Sequence, residues 1–245
     1  MPLTHPREFG RYAAPWTVCR LLWQGRRARG VLPLVPEADG PTAGEAGNGS
    51  RVRRLLVVGE STAAGVGARD HVRGLAGQVA SRLATLLDAR VAWTVLGRTG
   101  LTAARVRREL VPTLAPMAVD AIVLALGAND AAKLTPVGVW QRELTGLCAD
   151  LRAHVGPAPI VLSRAPPFEC SPTLPDPLRT FLGFRCARIN TASAGFAPSI
   201  QRLQLSAEPV VIAPGEFAPD GFHPNEAGYA RWGAHLADCL AEFLD

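Results

Sequence analysis

The chain has 245 residues, 48% apolar and 19% charged, with 24 Gly and 21 Pro, a balance that excludes a largely disordered protein. Its net charge of +5 is concentrated at one end: residues 1–54 carry nine Arg against four acids, and residues 55–245 carry 17 basic and 17 acidic residues. A nucleic-acid-binding protein spreads basic residues over its working face, so no nucleic-acid partner is expected.

Taken from the N-terminus, the first 35 residues hold no apolar stretch longer than Leu21-Leu22-Trp23, so no signal peptide and a cytoplasmic location are expected. Ala121–Asn129, a strongly apolar run, extends over nine residues where a membrane span needs about 20. Residues 16–30 mix Trp16, Val18, Leu21, Leu22 and Trp23 with Arg20, Arg26, Arg27 and Arg29 and contain no acid. Two readings stand. One is an amphipathic helix making weak contact with an anionic membrane surface. The other, which is preferred, is a terminal helix packed on its own domain through the tryptophans. Pro36–Ser50 has two Pro and four Gly and reads as a linker. The expected organisation is a basic segment and linker over 1–50, then one domain over 51–245.

Beyond Arg51 the pattern alternates. Leu55–Val58, Val91–Val95, Ala121–Leu126, Ile160–Leu162 and Val210–Ile212 are short apolar runs rich in β-branched residues. Helical spacing fills 73–88, 102–115, 137–154 and 178–204, and a last helix follows Pro224. Strands buried on both faces and separated by helices predict an α/β fold, a three-layer α/β/α sandwich around a five-stranded, mostly parallel sheet. In such sheets the ligand site lies beyond the carboxyl ends of the strands. The five cysteines, Cys19, Cys148, Cys170, Cys186 and Cys239, show no C-x-x-C spacing and support neither a disulfide framework nor a metal site.

The expected strand ends carry distinctive residues. After the first comes Gly59-Glu60-Ser61, with Ser61 where a strand turns into a helix, either as a nucleophile or as a helix cap. Gly59–Gly67 lacks the G-K-[ST] ending of a phosphate loop. After the second comes Thr99-Gly100-Leu101-Thr102, where glycine permits close approach of an amide or simply shapes a loop. After the third, Asn129 of Gly127-Ala128-Asn129-Asp130 offers an amide to an oxyanion or serves an Asx turn. Asp220-Gly221-Phe222-His223 is the most specific signal. Its spacing lets the carboxylate reach one imidazole nitrogen while the other faces outward, as a general base requires. Together these residues are a kit for acyl transfer through a covalent ester.

In this order the four blocks resemble those of the SGNH (GDSL-type) hydrolases, across residues 54–242. The resemblance implies a flavodoxin-like fold, an esterase or lipase-like activity, Ser61 as nucleophile, His223 as base and Asp220 as the orienting acid. It also implies an oxyanion hole made by the Ser61 N–H, the Gly100 N–H and the Asn129 side chain, with no cofactor and no metal. One departure is Glu60, where the family usually has Asp. The α/β-hydrolases also run Ser, acid, His, but their G-x-S-x-G elbow fails at Ala63. The expected substrate is a small-molecule ester, and the five prolines of Ala165–Pro177 read either as a stiff wall of its acyl pocket or as a rigid surface loop with no contact to substrate. The alternative is a non-catalytic binding or scaffold domain that keeps the fold.

Overall fold

The computed structural model describes residues 15–31 and 33–244. Strands β2 (Arg51–Gly59), β3 (Ala89–Gly97), β4 (Ala121–Ala125), β5 (Ile160–Leu162) and β6 (Leu203–Leu205) pair in parallel. Strand β1 (Ala43–Ala46) runs antiparallel along β3, which gives the order β1-β3-β2-β4-β5-β6.

Alternation along the strands builds two cores. Leu56, Val58, Ile122, Leu124, Ile160 and Leu162 face α5 (Val137–Val155) and α6 (Leu178–Phe196). Leu55, Val57, Val91, Trp93 and Val123 face α2 (Leu75–Leu86) and α7 (Glu226–Leu244). The helices meet these faces with the matching period: Trp140, Leu144, Leu147 and Leu151 all lie buried along α5. Each such Leu, Ile or Val contributes about 1.5–3 kcal/mol on burial, so the central strands are the best-anchored part of the molecule. Buried tryptophans still find acceptors. Trp140 Nε1 donates to Ser193 Oγ and Trp232 Nε1 to Ser163 Oγ, each at 2.9 Å.

The topology selects one place for chemistry. β2 is followed by β3 on one side, and the chain then crosses to β4 on the other. The crevice at such a reversal is where open α/β sheets bind ligands. Gly59 pairs with both Gly97 and Ala125, so β2, β3 and β4 end level and deliver three loops to one spot.

The sheet has six strands among the described residues rather than the expected five, and four local expectations are corrected. Residues 36–50 are not a free linker. Ala43–Ala46 adds the edge strand β1, and Ala38 and Asp39 donate to the carbonyls of Ala64 and Arg69. Small residues carry no strand signal, yet the unpaired edge of β3 supplies the partners, and the Trp93 indole covers Gly44, where an added Cβ would lie 2.4 Å from it. Val210–Ile212 is not a strand. Pro209 and Pro214 flank it and lack ladder donors, although Val210 and Ile212 are still buried in the core. The edge position is taken by β6, which overlaps the end of the stretch expected to be helical, because Pro198 follows the end of α6 at Phe196. Likewise 102–115 is not one regular helix: α3 (Ala103–Arg105) passes into a π turn and then a 3-10 turn at Pro112.

The N-terminal helix α1 (Pro15–Val31) does pack on the domain, but not through its tryptophans. Trp16 is 76% and Trp23 58% exposed. The anchor is the buried Gln24, whose amide donates to Asp176 O at 2.8 Å and accepts Leu178 N–H at 3.2 Å. Arg20 also donates to Asp176 O, and Leu21 packs against the core.

Candidate active site

Ser61 leaves the sheet at the end of β2 and enters a series of turns over 61–67. No long helix starts at the serine, contrary to the strand-to-helix expectation, since α2 begins only at Leu75. The turns are pinned by Ala64 N–H on Glu60 O and Val66 N–H on Ser61 O, both at 3.0 Å. The Tyr229 hydroxyl, from α7, adds a 2.7 Å bond to Val66 O.

The histidine arrives from the other end of the chain. Asp220 Oδ1 accepts the backbone N–H groups of Phe222 at 2.9 Å and His223 at 3.0 Å, which folds Asp220–His223 into one tight turn. Gly221 makes the turn possible: its φ is +61°, and a Cβ there would lie 2.3 Å from Thr173 Cγ2. Two hydroxyls of the proline-rich loop clamp the same turn, Thr173 on Asp220 O and Ser171 on Gly221 O, each at 2.8 Å. Asn225 then caps α7 through Ala227 and Gly228 N–H.

These elements bring Ser61, His223 and Asp220 into one line. His223 Nδ1 lies 2.6 Å from Asp220 Oδ2, and His223 Nε2 lies 2.9 Å from Ser61 Oγ. A carboxylate only accepts, so it holds the imidazole proton on Nδ1 and leaves Nε2 as acceptor for the serine hydroxyl. Burial alone would raise the Asp220 carboxyl, but the bonds from the His223 ring and from the His223 and Phe222 amides outweigh it and hold the group below its ordinary range. Phe222 stacks on Phe168 at 4.8 Å and meets the His223 ring edge-on at 4.9 Å, which fences the imidazole.

Gly100 and Asn129 stand on the flanking loops, after β3 and β4. Three successive ties join those loops: Asn129 Nδ2 donates to Leu101 O at 3.1 Å, Asp130 accepts Ala103 N–H at 2.9 Å, and Lys133 Nζ donates to Gly100 O. Gly100 has a φ of +79°. Asn129 lies in the first turn of the short helix α4 (Ala128–Ala132).

Glu60 has a larger place than its sequence context suggested. It is buried, and its two carboxyl oxygens accept Ala128 N–H and Asn129 N–H, each at 2.9 Å. Burial pushes this carboxyl up to about 8, opposed by the Asn129 amide and reinforced by nearby Asp130. Its position next to Ser61 was the available signal. Thr173 had none, being 47 positions from Asp220.

Ser61 and His223 open onto a cleft of about 610 Å³ including its mouth. Its walls are mostly apolar: Leu126, Pro166, Pro167, Phe168, Ile212, Phe217, Phe222 and Trp232. The proline-rich loop is therefore a wall, the first of its two readings. Arg164, also on the lining, is tied by Nε to the carbonyls of Ser206 and Ala207.

This layout can be set beside known proteins. The model of the GDSL-like Lipase/Acylhydrolase family matches residues 57–231, well over half the chain. The chain belongs to this family. No curated protein matches it in sequence. Solved structures of the same fold include TesA, 24% identical with a TM-score of 0.58 over 78% of this chain and 100% of that one. Est24, a carbohydrate acetylesterase from Sinorhizobium meliloti, is 16% identical with a TM-score of 0.58 over 78% of this chain and 99% of that one. Phospholipase A1 from Streptomyces albidoflavus NA297 is 16% identical with a TM-score of 0.54 over 76% of this chain and 98% of that one. The chain is thus a GDSL-type hydrolase, and its sheet and helices are those of that fold.

Proposed function

We propose that this hydrolase cleaves carboxylic esters through a covalent acyl-enzyme on Ser61. The observation that carries this reading is the unbroken chain Ser61–His223–Asp220, at 2.9 and 2.6 Å, at the end of an apolar cleft. As Ser61 Oγ bonds to the ester carbonyl carbon, its proton passes to His223 Nε2, and ionised Asp220 stabilises the imidazolium. The carbonyl oxygen becomes an oxyanion, for which the Ser61 N–H, the Gly100 N–H and the second N–H of the Asn129 amide are the donors. The tetrahedral intermediate collapses as the C–O bond to the alcohol breaks, and His223 protonates the leaving oxygen. Water then repeats the sequence, its proton going to Nε2, and releases the acid and free Ser61. The chain's own side chains supply every proton transfer.

The cleft favours an apolar acyl group of small to medium length, lying along Phe168 and Phe222. The solved relatives named for a sugar acetyl ester and for a phospholipid mark the two alcohol classes to compare. A fluorophosphonate probe followed by peptide mass mapping tests the nucleophile. Labelling on Ser61 that is lost in His223→Ala is expected, and absence of labelling favours a binding domain without catalysis. p-Nitrophenyl esters from acetate to palmitate, run beside acetylated oligosaccharides, then define the acyl and alcohol preference.

A further inference from the structure

The docking of α1 leaves a surface that the catalytic reading does not use. Its inner side is held by Gln24, Arg20 and Leu21 against the start of α6. Its outer side presents Trp16, Leu22 and Trp23, each more than half exposed, and Val31 and Leu34 extend the apolar surface to 69% and 98% exposure. Trp16 and Trp23 are two helical turns apart, so they share one line along the helix. Exposed Arg26 and Arg27 are interleaved with them, and the Arg27 guanidinium lies 5.3 Å over the Trp23 ring. Residues 15–36 contain no Asp or Glu. Among the described residues no helix is long and apolar enough to cross a membrane, so this surface is suited to lie on a bilayer rather than in it.

We infer that the outer face of α1 docks the protein on an anionic phospholipid surface. Indole rings partition to the level of the headgroups, and arginine stems cover apolar surface while their charges meet lipid phosphates. The charge of the helix complements such a surface, since Pro15–Val31 carries four Arg and no acid. The anchor at Asp176 and Leu178 adjoins the loop that supplies Pro166, Pro167 and Phe168 to the cleft wall. Docking therefore brings a lipid surface beside the cleft. That consequence rests on the ester-hydrolase reading, whereas the docking itself does not.

The test uses the full chain with vesicles of phosphatidylcholine alone and of phosphatidylcholine mixed with phosphatidylglycerol. Of the five tryptophans, Trp93, Trp140 and Trp232 are buried, so a fluorescence change on binding reports Trp16 and Trp23. Co-sedimentation with the anionic vesicles, a blue shift, and weakening with salt are expected. Trp16→Ser combined with Trp23→Ser should weaken binding at least about tenfold, with the thermal melt unchanged as the folding control. Arg26→Ser combined with Arg27→Ser should remove the preference for anionic lipid. Ser61→Ala should bind as wild type, which separates docking from catalysis. No binding by wild type, or equal binding by the tryptophan variant, overturns the inference. So does a wild-type dimer that ignores vesicles and is made monomeric by the tryptophan substitutions, since a second copy would then cover the face.

Discussion

The Glu60 carboxyl accepts the backbone N–H of Asn129 at 2.9 Å, so the residue beside the serine also fixes the start of the helix that carries the amide of the proposed oxyanion hole. Burial raises Glu60 from an ordinary 4.5 to about 8. In the folded protein it therefore keeps a proton that the unfolded chain releases. The stability this contributes is fully present below about 4.5 and is lost as pH rises through about 8. Glu60→Gln should flatten the fall of Tm between about pH 5 and about pH 8 relative to wild type. Ionisation would also place a negative charge beside a developing oxyanion. Wild-type kcat/KM should thus show an alkaline fall near 8 that Glu60→Gln lacks. Parallel pH profiles for the two proteins would show that Glu60 has neither role.

Asn129 donates one of its two amide protons to Leu101 O. If the other meets the oxyanion, Asn129→Ala should lower kcat by about 10²–10³ with little change in KM. The same substitution leaves the backbone bond to Glu60 available, so the fold should persist. Steady-state kinetics on a soluble ester decide the point. A rise in KM with kcat unchanged would make Asn129 a substrate-positioning residue instead.

Asp220 holds the histidine tautomer, and Thr173 holds Asp220. Asp220→Asn should preserve the shape of the turn but lose the charge, with kcat/KM down by about 10³–10⁴. Thr173→Val removes the 2.8 Å bond to Asp220 O and the 3.4 Å contact with Ser171 Oγ and should cost roughly tenfold or less in rate, with about 1 kcal/mol in stability. Chemical denaturation and kinetics on both variants measure this ordering. Equal and near-wild-type rates in both would mean that another group orients His223.

Local chemistry was the legible part of the site. Asp220 and His223 are three residues apart, so their contact follows from one turn, and the apolar runs around Leu56, Ile122 and Ile160 announce a sheet covered on both faces. What stayed hidden depended on partners distant in sequence. Ala43–Ala46 has no strand propensity and pairs because the β3 edge needs a partner. Val210–Ile212 has the composition of a strand, but two prolines deny it the hydrogen bonds. The tryptophans of α1 resemble a packing face, yet the polar Gln24 makes the buried contact because two backbone groups at the start of α6 need a donor and an acceptor. Glu60 read as a family departure until the α4 amides appeared in its reach.

The central claim is that Ser61 is the nucleophile, and hydrolysis of p-nitrophenyl butyrate by wild type and Ser61→Ala tests it most directly. Both proteins should melt alike, since Ser61 Oγ bonds only the His223 ring among the described side-chain contacts. The wild type should turn over and Ser61→Ala should be slower by at least about 10³-fold. A rate for Ser61→Ala within about tenfold of wild type would contradict the account and move the chemistry to another group in the cleft.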